Sequence, residues 1–417
     1  MKKISYKTSP FEDLQAANSA MELWWDSSPM VFSPWRDRFL ATAPDGGTAQ
    51  IWQSQLDRFF DPENPTKGLV RGITTNPSLI ANWIQTCPDY WRPVIDEAIA
   101  QQHRPSVETS YRLVYQAAIQ RSATAMLPLW NASEGKHGWV SGQTDPRIMF
   151  DADAMLDQAF AIARLGRNIM VKIPGTAAGY RVIEELTARG ISTNSTLSYT
   201  MPQFMACIRA VERGLARAYT TGVDTARWRS VITHMIGRFG TMNDLKAEAE
   251  ARDLPLSISD IRWAEIAILK RAEQEIRTRG YPCKMLLSSL MTDARDCPAS
   301  NLSMHLEQTS GADIAYTCKP DFIADVIANQ DRWIGCSADS IHSEVPEQVL
   351  DRLLQLPSFR KAYDPDGMTA LEFAATGPFL GTFVEVNQNI QRLIHHIGLH
   401  HERHTLARFA SSMNRAA

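Results

Sequence analysis

Between Gly47 and about residue 330, short β-prone apolar runs alternate with longer stretches whose apolar residues recur at helical spacing. The runs are 48–53, 69–74, 138–143, 168–173, 190–194, 230–235, 283–288 and 313–317. The intervening stretches carry stripes such as Met155, Ala159 and Ala163 beside Leu156 and Phe160, then Phe204, Ile208, Val211 and Leu215, then Ala264, Ile268, Ala272 and Ile276. Eight strands, each followed by a helix, predict an α/β fold of the (β/α)8 TIM-barrel type. The competing architecture is an open doubly wound sheet, but no Gly-x-Gly-x-x-Gly turn follows any run. Residues 1–46 hold Trp24, Trp25, Phe32, Trp35 and Phe39 and predict a helical N-terminal extension that packs these rings on the barrel at 47–330. Helical patterns at 349–356 and 383–404 predict a C-terminal extension, 331–417, that covers the barrel or a partner subunit, as in a homodimer.

Composition narrows the function classes. A net charge of -3 and a pI near 6.4 give no global attraction to nucleic acid or anionic membrane. No apolar run has the length of a membrane span, and the basic start Met1-Lys2-Lys3 passes into polar sequence, unlike a secretory leader. The six cysteines are scattered without a Cys-x-x-Cys pair, the usage of a cytoplasmic protein with reduced thiols and no zinc site. His396, His400 and His404 would share a helix face, but no Asp or Cys joins them, so a solvated or subunit-contact helix is the expectation rather than a metal site.

One run stands apart. Asn168-Ile-Met-Val-Lys-Ile-Pro-Gly-Thr176 reads as a buried strand carrying a lysine. An unpaired buried ammonium is costly, so its pKa falls, and a lysine with a lowered pKa is a nucleophile towards carbonyls. The structural alternative is a lysine that snorkels to water from a strand end. In a TIM barrel the site lies at the C-terminal strand ends, where the other runs would bring Ser54 and Gln55, Thr74, Thr75 and Asn76, Gln143, Asn194 and Thr196, Arg238, and Ser288 and Ser289 beside Lys172. That polar, mostly uncharged ring suits the hydroxyls of a sugar-like ligand, although single members such as Ser78, Thr176 and Ser195 also sit where helix N-caps belong.

Gly72-Ile-Thr-Thr-Asn-Pro-Ser-Leu79 and the pair 168–176 and Gly190-Ile-Ser-Thr-Asn-Ser-Thr-Leu197 resemble, in order and spacing, the two signatures of the transaldolase family. The resemblance covers residues 48–330 and implies a single (β/α)8 barrel. It also implies a cofactor-free, metal-free transferase that moves a dihydroxyacetone unit between sugar phosphates in the pentose phosphate pathway. It further implies Lys172 as the Schiff-base nucleophile, Thr196 as the holder of a catalytic water, and Asn76 and Asn194 as partners of substrate hydroxyls with Thr74 beside them. Arg238 and Ser289 would bind the substrate phosphate.

Three departures from the family pattern matter, one of them on the phosphate side, where the family has a further basic residue after the seventh strand and Ser289-Leu-Met-Thr292 has none, the nearest being Arg295. The family ends its first strand on an aspartate, where the run 50–56 offers Ser54, and it carries a glutamate where Val140-Ser-Gly-Gln-Thr-Asp145 places Gln143. Neither side chain accepts a proton near neutral pH. Asp57, Glu108, Asp145 and Glu385 are the substitutes available, each more simply read as a surface charge. Three readings follow: a Schiff-base enzyme with an altered aldol-type or other iminium-dependent reaction on a small carbonyl substrate, an ordinary transaldolase, and a barrel that binds ligands or partners without catalysis.

Overall fold

In the computed structural model of the chain, residues 7–103 and 106–416 are described, apart from the side chains of His404 and 407–416. The Met1-Lys2-Lys3 start and the His404 side chain therefore lie outside the described residues. Eight parallel strands close into one barrel in sequence order: β1 (Glu22–Trp25), β2 (Val70–Thr74), β3 (Trp139–Gln143), β4 (Ile169–Pro174), β5 (Thr193–Ser198), β6 (Ser230–Met235), β7 (Lys284–Ser288) and β8 (Ala315–Cys318), with β8 pairing back onto β1. Helices follow the strands and cover the outside, as the alternation predicts. Seven of the eight expected strands stand within a few residues of their predicted places.

The first does not. Residues 48–53 belong to a helix, Gly46–Phe59, whose N-terminus is capped by the Asp45 carboxylate accepting the Thr48 amide at 2.8 Å. Its buried face, Trp52, Gln55, Leu56 and Phe59, has the 3.6-residue period that competes with the local alternation. The first strand is instead the four-residue Glu22–Trp25, inside the segment expected to be a separate N-terminal extension. Leu23 and Trp25 face the helical layer, where Trp25 meets Phe32 and Trp35 with ring centroids 5.2 Å apart in each case. The N-terminal aromatics thus build the barrel wall and its outer packing together.

The barrel interior is layered. At its floor Glu22 is bridged by Arg229 at 2.5 Å, Lys284 at 2.9 Å and the Trp24 indole at 2.9 Å. Above it Trp24, Trp139, Met170, Val231, Leu286 and Ala315 form an apolar plug, and Gly72 is the residue that leaves room for Trp24, since a Cβ there would lie 2.4 Å from the indole. Burial alone would raise the Glu22 carboxyl, but Arg229 and Lys284 hold it at about 2. Glu22→Gln, which strands two cations in the wall, should cost about 3–5 kcal/mol of stability at pH 7 in urea denaturation. Because the folded carboxyl is depressed below its ordinary 4.5, that contribution is complete above this value and disappears as pH falls towards 2, so wild type and variant should converge there.

All six cysteines are free thiols. No helix among the described residues is long and apolar enough to cross a membrane. The chain ends in a 40-residue helix, Gly377–Ala416, that crosses the C-terminal face of the barrel and packs on the helices Pro77–Thr86, Val107–Ala132 and Ile236–Met242. On it His400 faces Asp96 at 3.3 Å and His401 accepts or donates a hydrogen bond with Ser110 at 2.7 Å, so these histidines serve helix packing.

Candidate active site

Strand register sets the geometry at the C-terminal end. Lys172 lies opposite Gln143 on β3 and Asn194 on β5, and Pro174 lies opposite Thr196. Lys172, Thr196, Asn76, Gln143, Arg238 and Ser289 line one cavity of about 70 Å³ with Asp26, Ser288, Lys319 and Glu385. The lysine is only 6% exposed, and none of the described residues accepts a hydrogen bond from its ammonium. Burial pulls its pKa down to about 8, with Asp26 opposing that shift and Lys319 adding to it. A strand-end lysine that snorkels would keep its charge in water; this one is held in the wall, with about a tenth of it neutral at pH 7.

Asp26 follows β1 directly. Its amide donates to the Cys318 carbonyl at 2.9 Å, and its carboxylate accepts the Thr74 hydroxyl at 2.6 Å, while Thr74 is hydrogen-bonded in turn to Thr317. The carboxylate is thus fixed from β2 and β8 and keeps acceptor capacity towards the cavity. Asn194 lies one layer lower: its amide donates to Ser141 at 2.8 Å and accepts from Thr233 at 2.7 Å, tying β3, β5 and β6 together. Asn76 caps the helix Pro77–Thr86 by accepting the Leu79 amide at 2.9 Å while lining the cavity.

Two backbone positions at the rim are left-handed: Leu197, with φ 51°, directly after Thr196, and Ser289, with φ 59°. For a leucine this is a costly conformation, about 1–3 kcal/mol. At Leu197 it accompanies a register shift of β5 against β6 that re-aims the strand end, with the Gly175 amide donating to the Thr196 carbonyl at 2.6 Å. Behind the rim, buried Glu265 accepts from the Gly240 amide, Arg262 and His305, and Asp293 accepts from Arg262 and the Met304 amide. This network ties the helix Ile236–Met242, which bears Arg238, to the loop that follows Ser288 and Ser289.

The family model described as "Transaldolase/Fructose-6-phosphate aldolase" matches residues 62–369. The chain belongs to this family. Among its relatives, the "Transaldolase" of Thiobacillus denitrificans is 32% identical over 207 residues, 49% of this chain and 56% of that protein. "Transaldolase 1" of Streptomyces avermitilis is 31% identical over 186 residues, 44% and 48% of the two chains. "Transaldolase 2" of Nostoc punctiforme is 26% identical over 296 residues, 65% and 76% of the two. The matched region thus spans about half the length of the first two of these relatives.

Within this transaldolase-family barrel, six of the expected site residues meet in the cavity, and Thr74 and Asn194 support it from below. Ser54 is elsewhere: it is exposed on the helix Gly46–Phe59 and accepts from Arg58 at 2.7 Å. An aspartate does follow the first strand, and it is Asp26; a four-residue strand in an aromatic segment gives too short an alternation to read from the sequence. Its signal was the polar Asp26-Ser-Ser-Pro29 turn after Leu23-Trp-Trp25. Of the other substitutes, Asp57 pairs with Arg36, and Glu108 and Asp145 pair with Arg147, away from the cavity; only Glu385 reaches it. Lys319, after β8, was also missed, and Gln143 stands where it was expected.

Proposed function

We propose that this chain is a transaldolase-like enzyme that captures a hydroxyketone as a Schiff base on Lys172 and makes or breaks the carbon–carbon bond beside it. The observation that carries this reading is the juxtaposition, in one cavity, of the carboxylate of Asp26 with a buried lysine at the end of β4 that has no hydrogen-bond acceptor among the described residues. The neutral amine adds to the ketone carbon, and loss of water leaves an iminium. Asp26 takes the proton of the hydroxyl on the carbon whose bond breaks; that hydroxyl becomes the carbonyl of the departing aldehyde, and the bonding electrons pass to the iminium nitrogen as an enamine. Addition of the enamine to another aldehyde, whose oxygen takes the proton back from Asp26, forms a new iminium, and its hydrolysis completes transfer; protonation of the enamine and hydrolysis instead release the ketone. Thr196 and Asn76 supply hydroxyl and amide partners for water and substrate, and Gln143 can orient a water but not take its proton.

Asp26 restores one of the two groups that aldol chemistry needs, which favours bond cleavage over an unrelated iminium reaction. Gln143 remains the reason to expect altered partitioning between transfer and release. Ordinary transaldolase activity is the second reading, supported by the relatives' names and by Asp26.

Incubation with dihydroxyacetone, reduction by borohydride and peptide mapping should place the adduct on Lys172. Its rate of formation should fall roughly tenfold per unit below pH 8 and level off above it, because the amine titrates at about 8. Absence of an adduct would leave the non-catalytic barrel as the reading, and a midpoint near the ordinary 10.5 would refute the burial argument. Transfer to erythrose 4-phosphate, measured against release of free dihydroxyacetone, separates the two enzymatic readings.

A further inference from the structure

The C-terminal helix Gly377–Ala416 brings a carboxylate into the cavity that the sequence places among ordinary surface charges. Arg238, on the helix Ile236–Met242 that follows β6, donates one guanidinium N–H to Glu385 Oε2 at 2.7 Å and another to Oε1 at 2.8 Å. This planar fork-to-fork geometry is the arrangement by which arginine recognises a carboxylate or a phosphate. The Arg238 side chain is 14% exposed and that of Glu385 45%, so the arginine is the enclosed partner and the glutamate covers it from the solvent side. Thr382, one turn earlier, accepts a longer contact from Arg238 at 3.3 Å and the Tyr199 hydroxyl at 2.7 Å, and Asn389, one turn later, donates to Ser78 at 2.9 Å. Glu385 is therefore held over Arg238 from both sides along the helix.

We propose that Glu385 is a specificity-determining residue: its carboxylate occupies the anion-binding face of Arg238, so the site selects carbonyl substrates that carry no phosphate. The inference rests on Lys172 as the Schiff-base residue and adds the substrate class to that reading. A phosphate ester reaching Arg238 has to displace an internal anion anchored on a 40-residue helix. It also meets the negative charge of that displaced group at the cavity mouth. The hydrogen bond from Arg238 already holds the Glu385 carboxyl below its usual range, so the pair stays ionised at neutral pH. Across the cavity, Asp26 is a second fixed carboxylate, and the other basic side chains of the lining are Lys319 and Lys172, whose iminium carries one positive charge once the carbonyl is captured. With Glu385 in place, the cavity has no large surplus of positive charge for a phosphate. An uncharged polyhydroxy ketone or aldehyde, by contrast, finds Asn76, Gln143, Thr196, Ser288 and Ser289 along the wall.

The test compares the concentration of D-fructose with that of D-fructose 6-phosphate needed for half-maximal borohydride trapping on Lys172, in wild type and in Glu385→Gln. Wild type should favour the free sugar, and the variant should move the ratio towards the phosphate ester by about 10–100-fold, the value of one or two charge-assisted hydrogen bonds. Adding Arg238→Met to Glu385→Gln should cancel that shift. A wild type that favours the phosphate ester, or a ratio unmoved by Glu385→Gln, overturns the proposal. Calorimetric titration with inorganic phosphate is the readout that does not need a Schiff base: weak or no binding to wild type, and binding to Glu385→Gln that depends on Arg238, support it even if no adduct forms. Equal phosphate binding by wild type and variant, or binding that requires Lys319 rather than Arg238, overturns it.

Discussion

Asp26→Asn should lower the rate of aldehyde release from a ketose by about 10²–10⁴-fold, the usual contribution of a positioned general base. The asparagine can still accept the Thr74 hydroxyl that now bonds Asp26 at 2.6 Å, so the wall of the barrel is kept. Carbonyl capture needs only the amine, so borohydride should still trap dihydroxyacetone on Lys172. Asp26 opposes the fall in the Lys172 pKa, so its removal should move the pH midpoint for trapping below about 8. Ser54→Asp is the matching control: on the exposed face of the helix Gly46–Phe59 it should change neither trapping nor turnover. If Asp26→Asn left aldehyde release unaltered, the base would have to be another group.

Gln143→Glu should have the second largest effect, in the opposite direction. Gln143 lies beside Lys172 in the strand register and lines the same cavity, and a carboxylate there can exchange protons with water that an amide cannot. Steps that move protons through water, enamine protonation and iminium hydrolysis, should accelerate by about 10²-fold or more. The added negative charge should also raise the Lys172 midpoint above about 8. Product analysis by chromatography, with and without an acceptor aldehyde, would show the change as altered partitioning between transfer and release. Unchanged rates and products would take Gln143 out of the proton path.

Most of the barrel was legible because it rests on short-range signals. The helices that follow β2 to β5 each start on a capping side chain, Asn76, Asp151, Thr176 and Thr200, and carry a buried stripe, and such signals are local properties of the chain. Lys172 was legible for the same reason: one charged residue within a β-prone run conflicts with its surroundings, and burial converts that conflict into a lowered pKa. β1 was not legible. Glu22–Trp25 is too short to show a period, and its pairing with β2 and β8 joins residues 45 or more and nearly 300 positions apart, a relation absent from any local window.

The sequence by itself determined the alternating architecture, the strand that carries Lys172, and the Asn76, Gln143 and Thr196 positions at neighbouring strand ends. Only the tertiary structure decided that Asp26, and not Ser54, is the carboxylate beside the lysine, because closing the barrel is what brings the end of β1 between those of β2 and β8. It also decided that Glu385, one of many acidic residues on polar helical sequence, sits on Arg238 nearly 150 positions away. Charge pairing across such distances is set by packing, and the sequence that encodes it looks locally like any solvated helix face.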